Sequence, residues 1–402
     1  MREMKDSGIE WIGTIPASWK TIKNKYIFRL RSGEAISKED LIDDGLYPVY
    51  GGGERIGYYN NFNVSSNSFL IGRVGARCGC VTPVNSLCWA TDNALIAEFI
   101  DINDYYTYAL IAADLNRLNE SNAQPLITAT KVLNVSIPKP DKKEQLLIAE
   151  FLSNMSNECD TLIIDIQSQI EVLEEYKRSV ITEAVTKGLD PDVEMRDSGI
   201  AWVGDIPSHW ITHPLYFYFG ERKNKNALGL ETNLLSLSYG KIIRKDINSN
   251  GGLLPESFNT YNIIEKDDII IRPTDLQNDK RSLRTGIARE HGIITSAYIA
   301  MKAIKSVNPE YFHYLLHAYD VMKVFYNMGN GVRQGLNFSE FSRLMVFEPT
   351  IEEQNAIVEY LKEKCDEIDL AIAEKKQQIE TIEEYKKSLI FEYVTGKKEV
   401  VV

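Results

Sequence analysis

The chain contains one stretch twice, since Glu174-Glu175-Tyr176-Lys177 recurs as Glu383-Glu384-Tyr385-Lys386. Both copies lie inside a long repeat, in which residues 144–186 match residues 353–395 at a constant offset of 209, with 20 of 43 positions identical. A repeat of this length indicates that one structural element occurs twice in the chain.

Apolar residues along the first copy are spaced alternately by three and four, which is the pattern of a coiled-coil seam. The predicted seam consists of Leu152, Met155, Cys159, Leu162, Ile166, Gln169, Leu173, Tyr176 and Val180, and Ile163 and Ile170 widen the apolar stripe. In the second copy the same phase is held by Leu361, Ile368, Ala371, Ile382, Tyr385 and Leu389, and it is interrupted at Lys364, Lys375 and Gln378. A lone helix with such a stripe needs a partner, so we expect the two helices to pair. The alternative is two unrelated amphipathic helices, each packed on its own domain.

A second, shorter repeat precedes each long one. Residues 4–19 match residues 195–210 at an offset of 191, with 10 of 16 positions identical. The segments between the repeats do not obviously resemble each other, and both are predicted to be mixed α/β. The predicted organisation is a duplicated frame with two different inserts, divided as 1–19, 20–141, 142–189, 190–210, 211–350 and 351–402.

Composition limits the class of protein. The 402 residues are 44% hydrophobic, which excludes wholesale disorder, and no run of 18 apolar residues predicts a membrane span. Five cysteines, an odd number, do not suggest a disulfide framework, so we expect a reducing cytoplasm. The net charge of −12 is unevenly distributed: the two helical segments, 142–190 and 351–402, carry −5 each, whereas the inserts carry −1 and +3. The inserts are therefore free to contact nucleic acid.

No catalytic pattern is convincing. The glycine-rich stretch at 51–57 lacks the Lys-Ser/Thr of a P-loop, and the segment 308–311 has Glu310 where the base pocket of an amino-methyltransferase has proline. Glu221-Arg222-Lys223 has no matching nuclease partner on a strand, and His313 and His317 are flanked by packing residues.

Two inserts with donor-rich loops favour DNA binding instead, because Arg forks onto guanine and Gln or Asn onto adenine in the major groove, while Lys suits phosphates. The candidates in the first insert are Arg55, Tyr58, Asn61, Arg73 and Arg77. Those in the second insert are Tyr239, Lys241, Arg272, Thr274, Gln277, Asn278, Lys280, Arg281 and Arg284. A solvated loop with surface ion pairs is the alternative interpretation of the same residues.

The order of these parts resembles the specificity (S) subunit of type I restriction–modification systems. The resemblance is carried by 7–16 and its copy 198–207, and by Pro138-Lys139-Pro140 and Pro349, each followed by Glu-Gln. It is also carried by 47–52 with 70–76, and by 235–243 with 274–279. It covers nearly the whole chain.

The resemblance implies an α+β fold in which two target recognition domains are joined by two long helices in an antiparallel coiled coil, with pseudo-twofold symmetry. It implies that each domain reads one half of an asymmetric bipartite double-stranded DNA site, and that the helices set the spacer. It also implies two methyltransferase (M) partners and two restriction (R) partners. S-adenosylmethionine would be bound by M, ATP and Mg²⁺ by R, and no cofactor by this chain. The alternatives are a self-sufficient methyltransferase or nuclease and a helical scaffold for proteins alone.

Overall fold

The computed structural model describes residues 2–65, 68–100, 104–119, 125–200, 202–247, 257–274, 283–324 and 335–400. The candidates Gln277, Asn278, Lys280 and Arg281 lie outside the described residues. The chain divides into two compact units: unit 1 contains Met1–Gln167 and Lys376–Val402, and unit 2 contains Ser168–Lys375. Each unit therefore holds one insert and a part of each long helix.

The elements of the first half of the chain are β1 Met4–Asp6, β2 Thr14–Pro16, β3 Lys20–Lys23, β4 Phe28–Ser32, β5 Tyr47–Gly51, β6 Glu54–Tyr59, β7 Ser68–Gly72, β8 Val81–Val84, β9 Trp89–Ala90, β10 Ala94–Phe99, α1 Asp104–Ala112, α2 Ala129–Asn134, β11 Ser136–Lys139 and α3 Lys142–Lys187.

The elements of the second half are β12 Met195–Asp197, β13 Asp205–Pro207, β14 Ile211–Pro214, β15 Phe219–Glu221, β16 Leu235–Ser238, β17 Lys241–Arg244, β18 Asn262–Ile264, β19 Ile269–Ile271, β20 Thr285–Ile287, β21 Gly292–Ile294, β22 Ile299–Ala303, α4 Pro309–Val321, α5 Phe338–Phe341, β23 Met345–Glu348 and α6 Ile351–Val394.

The two inserts share one topology. Unit 1 contains a four-stranded antiparallel sheet in the order β4-β10-β7-β8, and unit 2 contains one in the order β15-β22-β19-β20. The registers agree as well, since Phe28 faces Phe99 across the first pair of strands in unit 1 and Phe219 faces Ala303 in unit 2. The inserts are thus two versions of one fold, which their sequences do not reveal.

The short repeats form matching hairpins in the two units, β1–β2 and β12–β13. Each leads to a buried tryptophan whose indole N–H donates to a glutamate at the start of a long helix. Trp19 donates to Glu144 at 2.7 Å, and Trp210 donates to Glu353 at 3.4 Å. The repeats thus make the same contact twice, once in each unit.

Side chains cap the starts of both long helices. The amide of Glu144 donates to the Asp141 carboxylate, and the amide of Glu353 donates to the Thr350 hydroxyl. Such caps satisfy amides that have no partner within the helix. Just beyond the helices, Gly188 and Gly396 adopt φ of +75° and +71°, the left-handed conformation that commonly follows a helix end.

The long helices run antiparallel where they pair. In unit 1 the ring of Phe151 lies 4.5 Å from that of Tyr393, and Asp160 accepts from Lys386 at 2.6 Å. In unit 2, Asp369 accepts from Lys177 at the same distance. The two ion pairs are related by the repeat offset of 209, because Asp369 corresponds to Asp160 and Lys386 corresponds to Lys177. Each helix supplies the aspartate of one pair and the lysine of the other, which confirms an internal helix pair. No helix among the described residues is long and apolar enough to span a bilayer.

The predicted seam is wrong at alternate positions. Leu162, Gln169 and Tyr176 are exposed, whereas Ile163 is half-buried and Ile170 is buried. The inward residues of α3 are Leu152, Ser156, Cys159, Ile163, Ile166, Ile170, Leu173, Lys177 and Val180, and those of α6 are Leu361, Cys365, Ile368, Ile372, Lys375, Ile379, Ile382, Lys386 and Leu389. The alternate spacing of four and three residues is retained, but every second seam position is shifted by one residue. Lys177 therefore points inward where Tyr176 was expected.

Candidate nucleic-acid interface

In unit 1, β5 and β6 form a hairpin, residues 47–59, which we name the unit 1 hairpin. Its turn residues Gly52 and Gly53 both have positive φ, +65° and +100°, the signature of a two-residue type I′ connection. The turn is fixed to the sheet, because the Thr82 hydroxyl of β8 donates to the Gly53 carbonyl at 3.0 Å. Glycine is needed at this contact, since a Cβ at Gly53 would lie 2.9 Å from the same hydroxyl.

Three of the five candidates in unit 1 lie on or beside this hairpin. Arg55 is exposed, and its guanidinium lies 5.3 Å from the ring centroid of Tyr58 while donating to the tyrosine hydroxyl at 2.9 Å. Arg77 lies 3.7 Å from the Glu54 carboxylate. A methyl group at Gly72 would overlap the carbonyl oxygens of both Gly52 and Arg77, so the hairpin tip and the turn before Arg77 are in close contact.

The other two candidates in unit 1, Arg73 and Asn61, lie outside the unit 1 hairpin. Arg73 is half-buried at the end of β7, and its carbonyl accepts from the amide of Ile127 at 2.9 Å. Asn61 is exposed and caps the next amide, that of Phe62, at 2.9 Å.

In unit 2, β16 and β17 form the equivalent hairpin, residues 235–244, which we name the unit 2 hairpin. Its two turn residues, Tyr239 and Gly240, have φ of +46° and +77°. In both units the hairpin's first strand is bordered by a parallel segment that leads towards the central strand of the sheet. Val49 pairs with Trp89 in unit 1, and Leu234 pairs with Ile293 in unit 2.

The side chains at the unit 2 hairpin differ from those in unit 1. Tyr239 is 83% exposed at the tip, and Lys241 beside it is exposed. Arg244 is held by Glu290, to which its Nε donates at 2.8 Å. Arg244 is therefore an anchor of the hairpin, which the sequence did not indicate.

Arg284 lies inside unit 2 and is fully buried. Its guanidinium donates to the Thr274 carbonyl, and its main-chain amide donates to the Asp320 carboxylate. Its carbonyl accepts from the amide of Arg272, itself half-buried, at 2.9 Å. The expectation that Arg284 reaches bases conflicts with this position, because a buried guanidinium held by the main chain is not presented to a groove. Contacts of Arg272 and Thr274 with DNA stay predictions.

The histidine pair is embedded in protein. Burial lowers the pKa of His313 to about 3 and that of His317 to about 4. This buried environment agrees with the interpretation of His313 and His317 as residues that pack inside the protein. Among the residues that the structure describes, no group of three His, Cys, Asp or Glu side chains is arranged to hold a metal ion.

Comparison with known proteins finds a family model and several relatives of one kind. The model described as "Type I restriction modification DNA specificity domain" matches residues 16–172. The MjaVIII specificity subunit of Methanocaldococcus jannaschii is 26% identical over 314 residues, which is 74% of this chain and 70% of that protein. A second relative from the same organism is 27% identical over 280 residues, 68% of this chain and 62% of its own length. The EcoprrI specificity subunit of Escherichia coli is 30% identical over 132 residues, 31% of this chain and 33% of that protein.

The fold has a counterpart among solved structures. A chain from a study of complex assembly and conformational transition of the type I R-M system superposes with a TM-score of 0.63. The alignment has 11% identity and covers 96% of this chain and 99% of that one. At this identity the likeness concerns the fold alone.

Proposed function

We propose that this chain is a specificity subunit of a type I restriction–modification system, as its similarity to such subunits suggests, and that each of its units reads one half of a bipartite DNA site. The observation that carries the proposal is the pair of equivalent hairpins, built on one topology and ending in different side chains, Gly52-Gly53 in one and Tyr239-Gly240 in the other. We expect the two equivalent hairpins to contact DNA in the same way, and their different tip residues to recognise different base sequences. The expected target is therefore asymmetric.

The reading residues in unit 1 are Arg55, Tyr58 and Arg77, with Arg73 and Asn61 nearby. In unit 2 they are Tyr239 and Lys241, together with the candidates that follow Thr274. Arg can donate two hydrogen bonds to guanine in the major groove, and a two-stranded ribbon fits that groove. Arg284 is a positioning residue in this proposal, because it binds the main chain at Thr274 from inside the protein.

The duplicated frame supports the proposed partners. The contacts of Trp19 with Glu144 and of Trp210 with Glu353 are the same contact in two units, so one chain offers two similar faces. Two copies of one methyltransferase subunit would fit such faces, and restriction subunits would join through them. The chain itself acts without catalysis and without a cofactor. S-adenosylmethionine belongs to the methyltransferase subunit, and ATP and Mg²⁺ belong to the restriction subunit. We place the assembly in the prokaryotic cytoplasm, where its DNA is.

The test is a methylome. The chain is co-expressed with its cognate methyltransferase subunit in a host that lacks adenine methylation, and modified positions are mapped by single-molecule sequencing. We expect one asymmetric motif with two specified halves and an unspecified spacer. Exchange of residues 211–350 for those of another specificity subunit should change one half and leave the other. A motif without two halves would overturn the proposal.

The purified chain supplies the control. Incubated alone with DNA and labelled S-adenosylmethionine, it should transfer no methyl group, whereas the complex should. Transfer by the chain alone would favour a self-sufficient methyltransferase.

The helices provide a second test, of the proposal that they set the spacer. Deletion of residues 163–169 together with 372–378 removes one heptad from each helix and preserves the seam phase. Seven residues correspond to about 10 Å of helix, or roughly three base pairs. We expect the spacer to shorten or assembly to fail, and full activity on the original spacer would contradict the ruler role.

A further inference from the structure

Tyr239 combines high exposure with an unusual backbone. It is 83% exposed at the tip of the unit 2 hairpin, and its φ is +46°. Among the described residues, three other non-glycine residues have positive φ, namely Asp114, Asp267 and Lys323, and Tyr239 is the only aromatic one. The left-handed region is unfavourable for a bulky side chain, and the first position of a type I′ turn prefers Asn, Asp or Gly.

The conformation of Tyr239 is not compensated by burial of its ring. An aromatic side chain stabilises a fold mainly by burial, and a ring that stays largely in water contributes little. A turn residue such as Asn or Gly would therefore suit the free protein better. A strained and exposed residue of this kind points to a function outside the chain.

The hairpin holds the tyrosine in a fixed place. Leu237 and Ile242 pack onto Gly286 of β20, so that a Cβ at Gly286 would lie 2.6 Å from the Leu237 side chain. A Cβ at Gly240 would lie 3.1 Å from Leu283, so the tip itself rests on the chain leading into β20. A rigidly supported side chain is what a specific contact needs.

The charges around the tip favour DNA as the ligand. Residues 235–245 contain Lys241, Arg244 and Lys245 and no acidic residue, and Arg244 is paired with Glu290 outside the stretch, so the two lysines supply its positive charge. The corresponding stretch of unit 1, residues 47–59, contains Glu54 and Arg55 and is neutral. A basic two-stranded ribbon has the charge for the phosphates and the width for the major groove.

We propose that Tyr239 enters the major groove of the second half-site and specifies at least one base pair there by direct contact of its ring and hydroxyl with base edges. This inference rests on the proposed function. The equivalent turn in unit 1, Gly52-Gly53, has no side chain to offer, and Gly52 is buried against the sheet. The two tips therefore give one half-site a contact that the other lacks.

The test uses the full chain in complex with its methyltransferase subunit. The complex selects from duplexes in which each half-site is randomised in turn, and the bound fraction is sequenced. Tyr239→Gly should lower discrimination by at least about five-fold at one or more positions of the second half-site, and leave the first half-site unchanged. Tyr239→Phe should retain the part of the discrimination that comes from the ring and lose the part that comes from the hydroxyl. Tyr216→Ala removes another exposed aromatic side chain of unit 2 and should change neither half-site.

Thermal unfolding of the same variants separates reading from folding. Tyr239→Gly should melt at or above the wild-type temperature, because glycine relieves the unfavourable φ. Base preferences that are unchanged at every position, or affinity that falls equally for all sequences, would overturn the role of Tyr239 while the bipartite selection by wild type stands. Absence of bipartite selection by wild type would overturn the proposed function itself.

Discussion

Replacement of Arg284 by methionine distinguishes a buried anchor from a base-contacting residue. Methionine keeps much of the length and apolar volume of arginine but removes its charge and its donors. The Thr274 carbonyl then loses the guanidinium that donates to it, while the main-chain bond from residue 284 to Asp320 is retained. The change thus affects only the side-chain contribution.

The expected destabilisation is large. The loss of a buried hydrogen bond from a charged donor costs about 1.5–3 kcal/mol. The loss of a cation near Asp320, whose buried carboxylate it favours, adds to this, so we expect about 3 kcal/mol in all. Unit 2 spans Ser168–Lys375, and for a unit of this size the loss corresponds to a fall in melting temperature of roughly 10 °C.

The effect should depend on pH through Asp320. Burial raises the pKa of this carboxyl to about 6, and the charge of Arg284 opposes that rise. A group with a raised folded pKa loses its stabilising contribution as pH rises through that pKa. Without Arg284 the pKa of Asp320 rises further, so the variant should be destabilised more at pH 7.5 than at pH 5.5. Asp320→Asn in the Arg284→Met background should reduce that difference.

Hydrogen exchange measured by mass spectrometry locates the effect. Peptides covering β20 and α4 in unit 2 should lose protection, and peptides covering β7 and β8 in unit 1 serve as the internal control. A change below about 0.5 kcal/mol, combined with lost discrimination in the second half-site, would refute the reasoning and return Arg284 to the DNA-contacting surface.

Three further changes test the helices and the packing of α4. Ile163→Ser should lower the free energy of unfolding by about 1–2 kcal/mol in chemical denaturation, and Leu162→Ser, at the neighbouring position, by less than about 0.5 kcal/mol. A larger loss for Leu162→Ser than for Ile163→Ser would instead support the seam predicted from sequence. A double-mutant cycle on Lys177 and Asp369 should give a coupling of about 0.5 kcal/mol that weakens in 1 M salt, and zero coupling at low salt would exclude a stabilising pair. His313→Leu should make the free energy of unfolding depend less on pH below pH 7. Because burial lowers the pKa of His313 to about 3, the unfolded chain binds the proton first, and wild type should lose about 2 kcal/mol more than the variant between pH 7 and pH 5 in paired thermal melts.

The long helices were predictable from sequence, and their seam only in part. Spacing alone fixes a stripe but cannot choose between two phases that share every seventh residue. Tyr176 is the more apolar residue, yet it is exposed, whereas the neighbouring Lys177 points inward with its ammonium on Asp369. A lysine stem can cover apolar surface while its charge reaches a partner, and that partner lies 192 residues away in the chain.

The common topology of the inserts was not predictable, because buried strands constrain volume and polarity far more than identity. Ile71 faces Val81 in unit 1, and Ile271 faces Thr285 in unit 2, at equivalent points of the two sheets. The hairpin tips were visible in part, since Gly51-Gly52-Gly53 and Tyr239-Gly240 mark turns. The equivalence of the two hairpins became visible only from the segments with which each hairpin pairs in the structure.

Equivalent backbone positions in the two units carry different side chains, so the residues that read DNA differ between the inserts. The amide of Gly72 donates to the Cys80 carbonyl in unit 1 at 2.9 Å, and the amide of Arg272 donates to the Arg284 carbonyl in unit 2 at 2.9 Å. At this shared place one insert has an exposed thiol and the other a buried guanidinium. A contact with DNA therefore does not transfer from one unit to the other through the topology, and each half-site depends on its own insert. Exchange of whole inserts should consequently move specificity intact, whereas the exchange of Cys80 and Arg284 alone should disrupt unit 2 without transferring any preference.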